Sequence, residues 1–183
     1  IMDRFYSIFV DSDDDSSLSY LRKKKQRKCI KDAISSHCPY FATSLMSSEL
    51  IIHTDGGSRG NPGPAGIGVV VFCDNQVIYK QSNTIGSATN NQAEYQAFLS
   101  SLDWLLSHQS KLNPTRVIWK LDSLLVVEQI NQNWKIKLPH LKIMAQEAWQ
   151  GLKKLTCEYQ IGYVPREENA YADSLVNQAL DAK

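Results

Sequence analysis

An apolar run, Leu50-Ile51-Ile52-His53-Thr54, leads straight into Asp55-Gly56-Gly57-Ser58-Arg59-Gly60-Asn61-Pro62-Gly63-Pro64-Ala65-Gly66. The run reads as a buried strand, so Asp55 falls at its end and a glycine-rich loop follows. Glycine lets another backbone approach closely, and it tolerates φ angles that other residues avoid. A buried strand ending on a carboxylate beside such a loop restricts the chain to folds whose sheet ends carry a site. Oxygens and amides in that loop suit a metal or a phosphate.

The pattern after Leu50 is regular. A second strand near 65–73 alternates Ile67, Val69 and Val71 with Gly68 and Val70, and Asp74-Asn75 turns the chain into a third strand near 76–84. A helix is expected over 90–107, a strand over 116–121, a short helix over 123–131, a longer helix from Pro139 to about Leu155, a strand over 157–164 and a final helix over 169–180. The order β-β-β-α-β-α-α-β-α predicts an α/β fold, one mixed five-stranded sheet with flanking helices.

Residues 1–49 differ from this domain of 50–183. An acidic, serine-rich stretch (Asp11 to Ser17) precedes the basic cluster Arg22-Lys23-Lys24-Lys25-Gln26-Arg27-Lys28. Such a cluster suits nucleic acid or a nuclear address, but a solvated, poorly ordered extension is the favoured expectation. Met46, just before the first strand, is a natural start, so the preceding residues are expected to be non-native or poorly ordered. The chain's opening on Ile1 also leaves open the terminal domain of a reverse-transcriptase polyprotein.

Charge separates the possible partners poorly. The extension carries 8 Lys/Arg and 7 Asp/Glu, and the remainder carries 12 of each. A neutral domain lacks the basic footprint of a strong nucleic-acid binder, which favours metal-bridged binding or a modest patch at Lys135, Lys137 and Lys142. The four cysteines, Cys29, Cys38, Cys73 and Cys157, have no CxxC spacing, and free thiols in a reducing compartment follow. With no long apolar span and no signal-peptide pattern, a cytoplasmic protein free of membranes is expected.

Four acids stand in awkward places. Asp55 and Asp122 end strands, although Asp122 or Ser123 also suits a helix cap. Glu94 lies on the core-facing stripe with Phe98 and Leu102. An unpaired carboxylate there costs on the order of several kcal/mol, whereas a helix N-terminus returns about 0.3–1 kcal/mol at exposed sites. Asp173 shares a face with Val176 and Leu180 in the same way. Convergence on a divalent cation explains all four, and oxygen-only ligation favours Mg²⁺ or Mn²⁺ over zinc. His53 shares a strand face with Asp55, and a buried, hydrogen-bonded histidine is the expected role there.

The strand-Asp55-Gly56-Gly57 segment, Thr89-Asn90-Asn91-Gln92-Ala93-Glu94, Leu121-Asp122-Ser123 and Asn169-Ala170-Tyr171-Ala172-Asp173 together resemble, in order and spacing, the ribonuclease H family, type 1 branch. The resemblance covers about 50–181. It implies an endonuclease that cuts the RNA strand of RNA/DNA hybrids and leaves 3′-hydroxyl and 5′-phosphate ends. Asp55, Glu94, Asp122 and Asp173 would be its catalytic acids, holding two Mg²⁺ ions, with Mn²⁺ as a substitute. Gly56, Gly57 and Asn61 would line the RNA side, and Asn90 and Asn91 would read 2′-hydroxyls. Thr89 would hold a DNA phosphate, and Asn169 would also bind substrate. A monomer without an obligate protein partner is expected.

Two features depart from the family pattern. The loop Val164 to Asp173 lacks the histidine that many members carry; Arg166 and Glu167 are the candidates for a partial substitute. General acid–base help is worth about 10²–10⁴-fold where it operates, so slow turnover is expected. The basic protrusion is also absent, and only Lys135, Lys137 and Lys142 stand in its place beside Trp134. Trp134 fits either a sugar-stacking role or a core or surface patch. The alternative function is a catalytically silent ribonuclease H-like module that binds nucleic acid.

Overall fold

The computed structural model describes residues 49–182, and the expectations for the extension therefore fall outside the described residues. The elements are β1 (Glu49–Ser58), β2 (Gly63–Cys73), β3 (Gln76–Ala88), α1 (Asn90–Leu112), β4 (Arg116–Leu121), α2 (Leu124–Ile130), α3 (Pro139–Leu152), β5 (Glu158–Tyr163) and α4 (Ala170–Asp181), with a 3₁₀ turn (Arg166–Asn169) before α4. The sheet runs β3-β2-β1-β4-β5. β1–β2 and β2–β3 are antiparallel, while β1–β4 and β4–β5 are parallel. The expected mixed five-stranded sheet with flanking helices is the one observed.

Period-two alternation sets the faces of the sheet. Leu50, Ile52 and Thr54 of β1 and Val117, Trp119 and Leu121 of β4 are buried. Tyr95, Phe98 and Leu102 of α1 recur at helical spacing and enter the same core, which Leu141, Ala145 and Ala148 of α3 complete. Two polar pairs lie within that core: Trp119 Nε1 donates to Ser101 Oγ at 2.9 Å, and Tyr95 OH donates to Gln129 Oε1 at 2.9 Å.

The opposite face carries α4, and glycine decides how closely it and α1 approach. A Cβ on Gly56 would lie 2.1 Å from the Ala93 carbonyl carbon, and one on Gly68 would lie 2.2 Å from the Ala172 carbonyl oxygen. Helix backbone therefore rests directly on strand backbone at both places. Glu94 and Asp173 are the residues immediately after these two alanines. The glycines of β1 and β2 thus bring two acid-bearing helices onto opposite faces of the sheet at one level, since Gly68 is the ladder partner of Asp55.

Several boundaries differ from expectation. Asp55 does not end β1: the strand continues to Ser58, paired with β2 as far as Ser58↔Ala65. Only the β1–β4 ladder stops, at Thr54↔Leu121. The Gly56-Gly57-Ser58 segment is strand instead of loop because β2 supplies its hydrogen bonds. β3 runs on to Ala88 across two register shifts, and α1 reaches Leu112, where Asn113 adopts φ 44° and closes the helix.

Candidate active site

The site forms where β4 leaves β1. Asp55 comes from β1, Asp122 follows the last residue of β4, and Glu94 comes from the first turns of α1. One carboxylate oxygen from each lies within 4.8 Å of the others. Asp55 is 7% exposed and Glu94 6% exposed. Burial, then the neighbouring carboxylates of Asp122 and Asp173, push the Asp55 carboxyl up to about 7. Glu94 is raised well above its ordinary value, by burial first and then by Asp55 and Asp122. The Gly56 backbone N–H donates toward both carboxylates and opposes both shifts.

Glu94 Oε2 is buried without a hydrogen-bond partner. Crowded carboxylates with an orphaned buried oxygen fit a divalent cation: the raised proton affinity of Asp55 and Glu94 is relieved by positive charge. The donors are all oxygen, as hard cations require.

Asp173 lies outside this tight set. Arg166 donates to its Oδ1 at 2.5 Å and Asn177 Nδ2 donates to its Oδ2 at 2.9 Å. The Asp173 side chain is 26% exposed and that of Arg166 76% exposed. Three of the four predicted acids are therefore brought together, and the fourth stands close enough to raise Asp55 while paired to arginine.

The other predicted residues divide between the substrate side and the scaffold. Thr89 caps α1 in a capping box: Gln92 N–H donates to Thr89 Oγ1 at 3.4 Å, and Thr89 N–H donates to Gln92 Oε1 at 2.9 Å. Asn90 N–H donates to Asn61 Oδ1 at 3.0 Å, and Asn90 Oδ1 accepts from Ser58 N–H at 3.3 Å. Asn61 and Asn90 are exposed, Asn91 is half-buried, and the three surround the start of α1. These bonds hold the glycine-rich turn against the helix.

Gly56 and Gly57 were expected to line the RNA side. The Cβ direction at Gly56 meets Ala93, and that at Gly57 meets Val176 Cγ1 at 3.2 Å. The approaching backbone and side chain belong to the protein's own helices. Asn169, expected to bind substrate, is 0% exposed and bonded internally to Thr54, Asp122 and His53, so its side chain faces the protein. Its partners are 47 to 116 residues away, and nothing in the local sequence signals them.

His53 is part-buried and bonded, as expected, and burial holds its imidazole below the ordinary value. Trp134 is 47% exposed, on the surface and not in the core. Lys135, Lys137 and Lys142 are exposed as well. Among the described residues, no helix is long and apolar enough to cross a membrane.

A mixed five-stranded sheet with Asp55, Glu94 and Asp122 gathered where β4 leaves β1 defines an α/β protein with an oxygen-only acid cluster. Residues 53–179 match the family described as reverse transcriptase-like. The ribonuclease H of Vibrio cholerae (O395) is 32% identical over 149 residues, spanning 74% of this chain and 91% of that protein. The chain belongs to the ribonuclease H family.

The bifunctional protein Rv2228c of Mycobacterium tuberculosis is 43% identical over 136 residues, covering 73% of this chain and 36% of that protein. The chain thus spans about a third of the length of these mycobacterial relatives. The structure of LC11-RNase H1 in complex with RNA/DNA hybrid superposes with a TM-score of 0.68 at 41% identity, over 72% of this chain and 96% of that one.

Proposed function

We propose that this chain is a ribonuclease that hydrolyses the RNA strand of RNA/DNA hybrids with the help of divalent cations. The observation that carries this reading is the cluster of Asp55, Glu94 and Asp122, the first two buried, with Glu94 Oε2 unpartnered. Family membership and the hybrid bound by LC11-RNase H1 support it.

Asp55, Glu94 and Asp122 would hold the cation, Mg²⁺ or Mn²⁺. Bound there, such an ion supplies the positive charge that polarises a phosphate oxygen and an attacking water. The acids keep that charge in place and exclude bulk water from its inner side. In the finer reading Asp173 completes a two-ion site, and the products carry 3′-hydroxyl and 5′-phosphate ends. Asp173 must then exchange Arg166 for a cation. Releasing an arginine that is 76% exposed costs little, because exposed ion pairs are worth about 0–1 kcal/mol.

Substrate selection falls to the start of α1. Asn90 spends its carbonyl oxygen on Ser58 N–H, leaving its amide protons to face a sugar. A 2′-hydroxyl both accepts and donates, so Asn90 and Asn91 together distinguish RNA from DNA. Trp134 with Lys135, Lys137 and Lys142 forms the surface for the paired DNA strand. We place the protein in the cytoplasm as a monomer.

The test is cleavage of a labelled RNA/DNA hybrid with Mg²⁺, Mn²⁺ or EDTA, alongside Asp55→Asn. RNA cuts that require metal and vanish in the variant support the reading. No cutting with either metal, while the hybrid still binds, replaces it with the silent binding module.

A further inference from the structure

Asn169 closes the 3₁₀ turn before α4, wholly buried, and every polar atom of its side chain is used inside the protein. Its Nδ2 donates to the Thr54 carbonyl at 2.9 Å and to Asp122 Oδ1 at 2.6 Å. Its Oδ1 lies 3.2 Å from His53 Nδ1. Two acceptors on one side fix the orientation of the carboxamide, because a flipped amide would set oxygen against oxygen at both. Oδ1 then faces the imidazole, and His53 Nδ1 must carry a proton to donate. The ring is itself held edge-on by Phe72, at a centroid distance of 5.7 Å.

The chain His53–Asn169–Asp122 therefore ties β1, the turn before α4 and the end of β4 to one carboxylate. Asp122 needs such a tie, since it lies beyond the last paired residue of β4 and Ser123 makes no side-chain cap bond to hold the turn. The carboxylate that Asn169 grips is the one whose oxygen lies within 4.8 Å of those of Asp55 and Glu94.

We infer that Asn169 is a positioning residue, oriented by His53, that aims the Asp122 carboxylate into the acid cluster and so sets cation affinity. The inference rests on the proposed metal-dependent site. Groups that orient a ligand in this way typically govern affinity or activity by about 10–100-fold.

The experiment uses the full chain. Mn²⁺ binding is titrated by the loss of the free-ion electron paramagnetic resonance signal, and hybrid cleavage is followed against Mg²⁺ concentration. Asn169→Ala is expected to weaken Mn²⁺ binding about 10-fold or more and to raise the half-maximal Mg²⁺ concentration in parallel, with KM for the hybrid unchanged. His53→Phe, which keeps an aromatic ring against Phe72 but removes the donor, shifts both in the same direction by less. His53→Gln, which restores a donor, recovers most of the loss. A folded Asn169→Ala protein with Mn²⁺ affinity and Mg²⁺ midpoint within about twofold of the parent overturns the inference. So does a His53→Gln protein as impaired as His53→Phe. Should Asn169→Ala fail to fold, the two His53 variants decide. A parent protein that binds Mn²⁺ yet cuts no hybrid defeats the proposed function, while its Mn²⁺ isotherms still judge the positioning role.

Discussion

Asp55→Asn should abolish cleavage and yet stabilise the metal-free protein. The carboxyl of Asp55 rises from its ordinary 3.8 to about 7 in the fold. Each unit of that rise is about 1.36 kcal/mol, so the ionised group opposes folding by up to about 4 kcal/mol. The folded state binds the extra proton between about pH 4 and pH 7, and stability therefore falls as pH rises through that window. Asparagine keeps an oxygen for the Gly56 N–H and removes the charge. Burying an amide has its own cost, which leaves an expected gain of about 2–4 kcal/mol above pH 7 and almost none at pH 4.

Thermal unfolding by circular dichroism in EDTA, from pH 4 to pH 8, measures this. A gain of about 10 °C at pH 8 is expected for a domain of this size. Saturating Mg²⁺ should narrow or reverse the difference, because ligand at about 100 times its dissociation constant adds about 2.7 kcal/mol to a protein that binds it. A gain equal at pH 4 and pH 8, or none at pH 8, would refute the account of repulsion within the cluster.

Gly68→Ala should cost stability and activity together, since the added methyl meets the Ala172 carbonyl oxygen at 2.2 Å and must lift α4. Overpacking of this kind costs about 1–3 kcal/mol, and urea unfolding with a parallel hybrid-cleavage assay checks it. Thr89→Ala removes the capping box and should lower stability by about 1 kcal/mol in the same urea titration. Arg166→Ala should change metal-free stability by less than about 1 kcal/mol because the side chain is 76% exposed; a larger loss in thermal melts would mean that the pair with Asp173 holds α4 in place.

Element identity was legible from periodicity, and β4 was placed at its observed bounds because its short alternating run is flanked by proline and by an acid. The glycine-rich segment misled because local propensity argues for loop, whereas pairing with β2 keeps Gly56 to Ser58 extended. α1 outran its expectation because His108 to Lys111 blur the apolar stripe, although Leu112 still packs on the core. Within the site, Glu94 betrayed itself as a charge among apolar neighbours. Asn169 carried no such mark: an asparagine before a helix reads as a cap, and its true partners come from β1 and the end of β4. The Arg166–Asp173 pair likewise depends on the turn that bends one back over the other.

The early end of the β1–β4 ladder also bears on self-association. Beyond Thr54, β1 is paired on one side only, so a stretch of edge strand lies in the middle of the sheet. Unpaired strand edges recruit other strands, and proteins commonly blunt them with charge. Here the blunting charge is the acid cluster itself, which Glu94 of α1 and Asp122 after β4 complete around Asp55. Variants stripped of several of these carboxylates to silence the chemistry would therefore lose solubility as well, through a seam that the intact protein keeps closed by repulsion.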